Sequence, residues 1–409
     1  MESKIKSADK QSTVPDGGLQ AWLQVLGAFF LFFNTWGIIN SFGVFQTYYE
    51  QDLLASSDSS DISWIGSLQS FFIMFLGFIT GPVYDAGYFY HLLLVGSFLV
   101  TFGHMMLSLC TVFWQVLLAQ SFCIGLGAGC LFVPGVAILS QYFSAKLSLA
   151  VGLAASGASV GGVVYPVAFR QLQQHLGFPW AVRIIGFVAL GGLSLSNVCM
   201  RTRTLPLVKR KMVDWSAFTE LPYLLFSAGL FVAFLGAYTP FYYIQLFAED
   251  RSITNSDLAF YLIAILNAAS TVGRIVPNFV ADKLGPFNMM VPCAIICGIL
   301  ILTLLAVEEQ GPLLACTALY GVFSGSFVSL SPSILVTLSP NLGVVGTRMG
   351  MCFTVMGLSL LIGTPVAGAI LRSGFNDVWI YGGVLTTTGG VLIGLARAAY
   401  TKGRWWSKV

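Results

Sequence analysis

The sequence predicts an all-α membrane protein with twelve transmembrane helices in two six-helix repeats and both termini in the cytoplasm. Three observations lead to this fold class. Hydrophobic residues make up 56% of the 409 residues and charged residues only 9%, whereas soluble domains contain about 25% charged residues. The apolar residues form long runs of the length that crosses a bilayer. Landmarks of the first six runs recur in the last six at a nearly constant offset.

Each apolar run is close to the roughly 20 residues that a membrane-spanning helix needs. The runs lie near 20–48, 60–84, 88–110, 113–142, 146–170, 178–200, 219–247, 257–281, 287–307, 311–338, 343–371 and 377–399. The predicted parts of the chain are the tail 1–18, the N-terminal half 19–200, the linker 201–218, the C-terminal half 219–400 and the tail 401–409. Little chain remains for a domain outside the membrane.

Basic residues collect in the two tails and in the linker. They are Lys4, Lys6, Lys10, Arg201, Arg203, Lys209, Arg210, Lys211, Arg397, Lys402, Arg404 and Lys408. Acidic residues gather in other loops, such as 50–61 and 249–257. The positive-inside rule therefore predicts that the tails and the linker are cytoplasmic. The linker charges either serve only as this topology signal or also bind anionic lipid.

The sequence predicts no enzyme and no cofactor. The eight cysteines lie in apolar runs without the spacing of a metal or redox site, and no catalytic motif is present. The expected partners are a small-molecule substrate and the lipid bilayer. No nucleic-acid partner is expected, and we expect a monomer.

The second half of the chain repeats landmarks of the first. The matching pairs are Asp85 and Asp282, Gly125 and Gly321, and Pro166 and Pro365, at offsets of 197, 196 and 199 residues. Such an offset indicates a duplication of six spans. Duplicated spans are typical of carriers in which two halves rock about a site near the middle of the membrane.

Arg274 is the formal charge inside the run that begins at about Leu258. An arginine at that depth costs roughly 2.5–3.5 kcal/mol on insertion scales, so it calls for a partner, a cavity or an anionic ligand. Ser270 lies four residues earlier on the same helix face. The alternative is that Arg274 extends to the interface near Asp282, about 12 Å away by helical rise.

The substrate site is predicted around Arg274, which would pair with a carboxylate. We expect hydrogen bonds from polar side chains inside the spans, namely Asn34, Asn40, Asn267 and Ser270. We expect aromatic walls from Trp36, Tyr320 and Phe323. The cavity would be lined by the first, fourth, fifth, seventh, eighth, tenth and eleventh spans.

Three passages resemble a known family. They are PDGGLQAW (15–22), QYFSAKLSLAVGLAASGASVGG (141–162) and VGRIVPNFVADKLG (272–285). The whole chain resembles the major facilitator superfamily, and within it the fungal form of the monocarboxylate porter branch. The resemblance implies that Arg274 is the arginine of the eighth span that contacts a substrate carboxylate.

The same resemblance implies latches at the cytoplasmic turns, where the family has the pattern Gly-x-x-x-Asp-Arg/Lys-x-Gly. Gly81 and Asp85 match in the first turn, and Asp282 and Lys283 match in the second, where Asn278 replaces the leading glycine. We assign gating roles to Asp85, Asp282 and Lys283. Arg348, at the start of the eleventh span, either pairs with Asp282 in one state or is a plain cytoplasmic charge.

Two positions depart from the proton-coupled members of the branch. Ser270 stands where they have an acidic residue, and Asn40 aligns with their lysine. His104 is the remaining titratable candidate, and its alternative interpretation is a histidine packed inside the bundle. A proton-coupled lactate porter is therefore not expected.

The sequence thus predicts a multi-pass secondary transporter that moves a small organic acid or related metabolite by alternating access. The first alternative is an efflux pump that exports a fungal secondary metabolite. The alternative from another class is a non-transporting membrane sensor. The resemblance implies the plasma membrane.

Overall fold

The computed structural model describes residues 14–57, 59–203, 213–404 and 407–409. Every regular element in these ranges is helical. Most of the predicted N-terminal tail, the greater part of the predicted linker (204–212) and residues 405–406 of the predicted C-terminal tail lie outside the described residues.

The helices before the linker form one group. They are α1 (Leu19–Asn34), α2 (Trp36–Asn40), α3 (Phe42–Tyr48), α4 (Ser59–Phe75), α5 (Gly77–Asp85), α6 (Phe89–Leu107), α7 (Phe113–Val116), α8 (Gly125–Ala137) and α9 (Leu147–Cys199). Short π-helices lie at Tyr49–Leu53 and Leu117–Ile124, and a 3₁₀ turn lies at Ile138–Gln141.

The helices after the linker form a second group. They are α10 (Leu221–Ala237), α11 (Thr239–Asp250), α12 (Ser256–Leu284), α13 (Pro286–Thr303), α14 (Gln310–Thr337), α15 (Val345–Leu371) and α16 (Phe375–Thr401). A 3₁₀ turn at Trp215–Thr219 precedes α10, and another at Leu304–Ala306 follows α13.

Eleven helical stretches in the described residues are long and apolar enough to cross a membrane. The predicted fifth and sixth spans both fall in α9, whose 53 residues would extend about 80 Å as one helix. Gly177 interrupts α9 with a φ of 75° and a ψ of 167°. A glycine in this left-handed region ends a helix without a Cβ clash, and Pro179 then suits the first turn of the next helix.

The first predicted span, 20–48, is not one helix. It breaks at Thr35, with a φ of −115° and a ψ of −77°, and again at Ser41. The Thr35 hydroxyl donates to the Leu31 carbonyl oxygen at 2.7 Å, and the Ser41 hydroxyl donates to that of Ile38 at 2.6 Å. Such bonds to preceding carbonyls bend a helix. The α10–α11 boundary at Tyr238 interrupts the seventh predicted span in the same way, just before Pro240.

Both described termini lie at the same end of the bundle, which we call the tail end. Asp16 accepts hydrogen bonds there from the backbone N–H groups of Ser144 and Ala145, at 2.6 and 2.7 Å. The carbonyl oxygen of Val409 accepts from the Phe287 N–H at 3.0 Å. The loop after Tyr49–Leu53 and the Gly177 break lie at the opposite end.

The two groups of helices meet mainly along two contacts. In the polar seam, residues 148–159 of α9 lie beside residues 270–282 of α12. In the glycine seam, residues 77–85 of α5 lie beside residues 346–357 of α15. Large apolar side chains remain exposed around the bundle, for example Phe98, Phe187, Val198, Val276 and Leu395, as expected for a surface that faces hydrocarbon.

Candidate functional site

A small cavity lies between the two groups of helices. Its volume is about 30 Å³, which is room for about two water molecules. The lining side chains are Phe32, Trp36, Met74, Phe132, Val151, Ala155, Tyr238, Arg274, Val328, Ser329, Pro332, Phe353 and Met356. They come from all seven spans that the sequence predicted and, through Met74, from the second span as well.

Arg274 of α12 contributes the charge of this cavity. Its side chain is 6% exposed. Nε donates to the Ser270 hydroxyl at 3.3 Å, and Nη1 donates to the Ala155 carbonyl oxygen of α9 at 3.2 Å. Among the described residues no carboxylate pairs with Arg274. The guanidinium therefore stays inside the bundle in this conformation and does not extend to the interface.

Arg274 belongs to a polar stripe on α12, in which side chains recur every four residues and share one face. The stripe consists of Ser270, Arg274, Asn278 and Asp282. At one end of it, the Ser159 hydroxyl of α9 donates to that of Ser270 at 3.1 Å. At the other end, Asp282 accepts from the Ser148 N–H at 2.8 Å. The stripe therefore forms the polar seam over its whole length.

Aromatic rings make up much of the remaining wall. The ring of Phe132 lies 5.6 Å from that of Trp36 and 5.2 Å from that of Phe353, centroid to centroid. Phe132 precedes the linker and Phe353 follows it, so their contact crosses between the two groups of helices. Tyr238, at the α10–α11 break, lies close enough to Arg274 for the two to interact electrostatically. Most of the cavity surface is thus apolar, and its charge is that of Arg274.

Of the eight predicted substrate-binding residues, Arg274 and Trp36 line the cavity. Ser270 does not line it but accepts a hydrogen bond from Arg274. Asn267 is buried just beyond the polar seam, against Gly162, and its amide donates to the Ile263 carbonyl oxygen at 3.0 Å. Asn34 accepts a hydrogen bond of 2.6 Å from the hydroxyl of Tyr165. These two amides therefore support helix packing in this conformation.

The other three predicted residues lie apart from the cavity. Asn40 is half-buried at the end of α2. Tyr320 is buried and donates to the Ala237 carbonyl oxygen, and Phe323 packs into the apolar core. Of the three rings predicted for the aromatic wall, Trp36 therefore lines the cavity in this conformation, and Tyr320 and Phe323 do not. His104 is also elsewhere, because its Nδ1 pairs with the Val100 carbonyl oxygen within α6, at 2.8 Å.

The glycine seam brings two backbones into direct contact. A Cβ added to Gly81 would collide with the Gly346 carbonyl oxygen, and one added to Gly350 would collide with that of Gly77. Small residues at helix interfaces permit this approach in membranes. The seam therefore depends on the absence of side chains.

Asp85 closes the tail end of the glycine seam. Its carboxylate accepts from the backbone N–H groups of Gly346 and Thr347, at 3.2 and 2.7 Å, and from the Thr347 hydroxyl at 2.7 Å. These donors lie at the N-terminus of α15, where a negative charge is favourable. Asp85 is only 5% exposed, so water competes little for this contact.

Asp282 holds the tail end of the polar seam in the same manner. It accepts from the backbone N–H groups of Ser148 and Leu149, at 2.8 and 3.0 Å, at the N-terminus of α9. Its neighbour Lys283 is exposed, and its ammonium group lies 4.7 Å from the centre of the Phe279 ring. Asp85 and Asp282 thus both join the first group of helices to the second.

Arg348 does not pair with Asp282 in this conformation, and their contact in another state of the transport cycle stays a prediction. Its guanidinium is fully buried and bonds to Asp214 at 2.7 Å and to both oxygens of Glu220, at 2.6 and 2.8 Å. Burial raises the pKa of the Asp214 carboxyl, but hydrogen bonds from Ser216 and Arg348 outweigh this effect and lower the pKa below its usual value. Arg348 therefore ties the start of α15 to the end of the linker.

At the opposite end, Arg170 of α9 pairs with Asp257 of α12 at 3.2 Å. The guanidinium of Arg170 also lies 4.5 Å from the centre of the Phe260 ring. The Asp257 side chain is 80% exposed, and exposed pairs contribute about 0–1 kcal/mol. This contact between the groups of helices is therefore weaker than either tail-end contact.

Several functional side chains escaped the sequence analysis. Met74, Phe132 and Phe353 gave no signal, because an apolar residue stands out little in a chain that is 56% hydrophobic. Asp214 and Glu220 did give a signal in the sequence, since two acidic residues so close to a basic linker suggest a buried basic partner. Asn278 was noted only as a departure from a family pattern.

Comparison with known proteins bears on the fold and the class of the chain. The sequence model described as Major Facilitator Superfamily matches residues 25–310. The MFS-type transporter dbaD of Emericella nidulans is 50% identical over 385 residues, which cover 93% of this chain and 87% of that protein. The Aspyridones efflux protein apdF of the same organism is 38% identical over 388 residues, which cover 94% and 79%.

Solved structures with a similar fold are also membrane transporters. The human organic anion transporter MFSD10 (TETRAN) matches with a TM-score of 0.72 and 14% identity, covering 91% of this chain and 98% of that one. The fucose:proton symporter of E. coli matches with a TM-score of 0.68 and 16% identity, with the same coverage. At such low identity these likenesses bear on the fold alone.

Proposed function

The chain belongs to the Major Facilitator Superfamily, and from this premise we propose that it exports an acidic, largely apolar secondary metabolite by alternating access. The observation that carries the proposal is the Arg274 guanidinium, which is buried in an apolar cavity without a carboxylate partner among the described residues. A cation held there stabilises an anionic group through a charge-assisted, bidentate contact.

The size of the cargo is inferred from the cavity wall, and the direction of transport is inferred from one relative. Phenylalanine, tryptophan and methionine side chains surround Arg274 and suit a bulky cargo more than a two- or three-carbon acid. The relative apdF is named as an efflux protein for aspyridones. The second candidate function, uptake of a small monocarboxylate, is favoured by the sequence resemblance to the monocarboxylate porter branch.

The conformation is assigned to a closed step of the transport cycle. Sites for drug-sized ligands occupy roughly 300–1,000 Å³, about ten times the 30 Å³ present here or more. Release of Asp85 and Asp282 from the helix N-termini opens the cavity toward the tail end. Separation of Arg170 from Asp257 opens it toward the opposite end.

The membrane arrangement follows from the same proposal. The Gly177 break divides α9 into two spans and brings the total to twelve. The basic residues around the tail end, such as Arg201, Arg203 and Arg397, put that end in the cytoplasm by the positive-inside rule. We propose a monomer in the plasma membrane with one cargo site between its halves.

The test is metabolite profiling, inside and outside, of cells that produce acidic secondary metabolites, with and without the protein. Wild type should lower the intracellular level of its cargo and raise the external one. Arg274→Ala should reduce export about 10–100-fold, because a hydrogen bond to a charged group contributes about 1.5–3 kcal/mol. Equal export by wild type and Arg274→Ala would remove Arg274 from the mechanism, and net accumulation inside cells would favour uptake.

A matched control is Arg183→Ala. Arg183 lies in α9, where its Nε donates to the Ser108 hydroxyl at 3.1 Å and its guanidinium stacks on Trp180. It does not line the cavity. Export by this variant should match wild type, so that a loss in Arg274→Ala reports on the cavity and not on the removal of an arginine as such.

A further inference from the structure

Asn278 lies one helical turn beyond Arg274 on the polar stripe and is fully buried. Its amide nitrogen donates to the Ser329 hydroxyl of α14 at 2.6 Å. Its carbonyl oxygen, Oδ1, is buried and has no hydrogen-bond partner. Buried polar atoms in native proteins nearly always have a partner, so this oxygen indicates a group that is absent here.

The orientation of the amide follows from its neighbour. The Ser329 hydroxyl donates its proton to the Ser326 carbonyl oxygen at 3.3 Å, so it is available to Asn278 as an acceptor. In this arrangement the amide NH₂ faces Ser329, and the amide oxygen is the atom left over. A missing hydrogen-bond donor, rather than a missing acceptor, is what the site requires.

Two residues close to Asn278 line the cavity. Ser329 of α14, to which Asn278 donates, and Arg274, one helical turn earlier on α12, both line the cavity. On the facing helix α9 stands Gly152, where an added Cβ would lie 2.8 Å from Asn278 Cβ. The absence of a side chain at Gly152 gives Asn278 its place beside the cavity.

We propose that Asn278 and Ser329 form a second polar subsite, which accepts a hydrogen bond from a hydroxyl group of the cargo while Arg274 binds its anionic group. This inference rests on the proposed function and narrows the cargo to hydroxy acids. Four residues separate Arg274 from Asn278, a rise of about 6 Å along the helix axis. That spacing suits a hydroxyl two or three bonds from a carboxylate.

A subsite of this kind discriminates strongly, because an analogue that lacks the hydroxyl leaves a buried oxygen without a partner. The test measures binding to the purified full-length chain for three matched pairs: phenylacetate and mandelate, 3-phenylpropionate and 3-phenyllactate, and butyrate and 3-hydroxybutyrate. Wild type should bind the hydroxylated member at least about tenfold more tightly, and Arg274→Ala should bind neither.

Asn278→Ala should keep Arg274-dependent binding and lose the preference for the hydroxylated acid. If Asn278→Ala does not fold, Ser329→Ala serves as the second test variant. It should reduce the preference for the hydroxylated acid, because the Asn278 amide loses the hydrogen bond that orients it. Asn197→Ala is the control, since Asn197 of α9 bonds to Ser97 and the Leu193 carbonyl oxygen, away from the cavity. It should keep the full preference.

The outcomes separate this inference from the function on which it rests. Arg274-dependent binding with equal affinity for both members of every pair would overturn the subsite and leave the proposed function standing. A preference that survives in both Asn278→Ala and Ser329→Ala would overturn it too. If no acid binds in an Arg274-dependent way, the acidic cargo is wrong, and the subsite fails with it.

Discussion

The polar seam and the glycine seam join the same two groups of helices but use different chemistry. In the polar seam, serine, arginine and asparagine side chains of α12 meet α9, and the cavity opens beside them. In the glycine seam, the contact between α5 and α15 is backbone against backbone at Gly81 and Gly350. Each seam ends at an aspartate that binds a helix N-terminus.

The difference is sharpest at Gly81 and Asn278. These residues share the offset of 197 that relates Asp85 to Asp282, so the predicted repeat makes them equivalent. A glycine suffices where the seam only has to close, because any side chain there would meet the Gly346 backbone. The asparagine leaves a buried polar atom beside Arg274. Under the proposed function, the glycine seam serves movement and the polar seam serves recognition of cargo.

The largest effect is expected from filling the glycine seam. In Gly350→Leu the side chain collides with the backbone at Gly77, which cannot move aside as a flexible side chain would. Overpacking of this severity costs about 3 kcal/mol or more, so transport should fall by about 100-fold. Initial rates and cargo affinity measured together are the readout, and affinity should be nearly unchanged.

Gly191→Leu is the matched control for that variant, because a Cβ at Gly191 meets nothing within 4 Å. It should transport like wild type. A large loss of cargo affinity in Gly350→Leu would break the distinction between the seams.

A smaller effect is expected from filling the polar seam, and it should appear in cargo affinity instead of transport rate. In Gly152→Ala the methyl group collides with the Arg274 carbonyl oxygen and presses on Asn278. We expect a cost of about 1–3 kcal/mol, seen mainly as a roughly tenfold loss of cargo affinity in equilibrium binding. Gly394→Ala, where the nearest atom is 3.5 Å away, is the control. Unchanged affinity with a slower rate would mean that both seams serve only movement.

A smaller difference between the two seams is expected for substitutions of Asp85 and Asp282. Asp85 has at least three hydrogen bonds and is 5% exposed, whereas Asp282 accepts from two backbone N–H groups and is half-buried. Because charged hydrogen bonds contribute more when water is excluded, Asp85→Asn should favour opening at the tail end by about fivefold and Asp282→Asn by about twofold. Spin-label distances between Ser144 and Val344, each replaced by cysteine, would measure the open fraction. The reverse order would contradict the ranking.

The smallest effect is expected at the Arg170–Asp257 pair, at the end of the bundle opposite the tail end. Asp257→Asn removes an ion pair that is largely exposed, so it should change transport by no more than about twofold, and less in high salt. Arg170→Gln should have a slightly larger effect, because it also removes the contact with the Phe260 ring. Vesicle transport at two ionic strengths is the measurement, and an effect independent of salt would contradict the electrostatic account.

The spans and the buried arginine could be predicted because their signals are local. Run length reports a membrane helix, and a lone charge such as Arg274 stands out in an apolar run. The breaks at Thr35 and Tyr238 could not be predicted from run length, since the residues on both sides are equally apolar. The partners of Arg348 lie more than a hundred positions away in the sequence, so pattern reasoning had no means to choose Asp214 over Asp282.

The methionines of the cavity have a consequence for how such a carrier diversifies. Met74 lies on α4 and Met356 on α15, so each group of helices contributes one to the cavity wall. Methionine is unbranched and changes shape easily to fit irregular partners. A chain built in this way can adapt to a new compound through rotamer changes and single substitutions of cavity-lining residues. Asp85, Asp282 and the glycines of the glycine seam then stay unchanged.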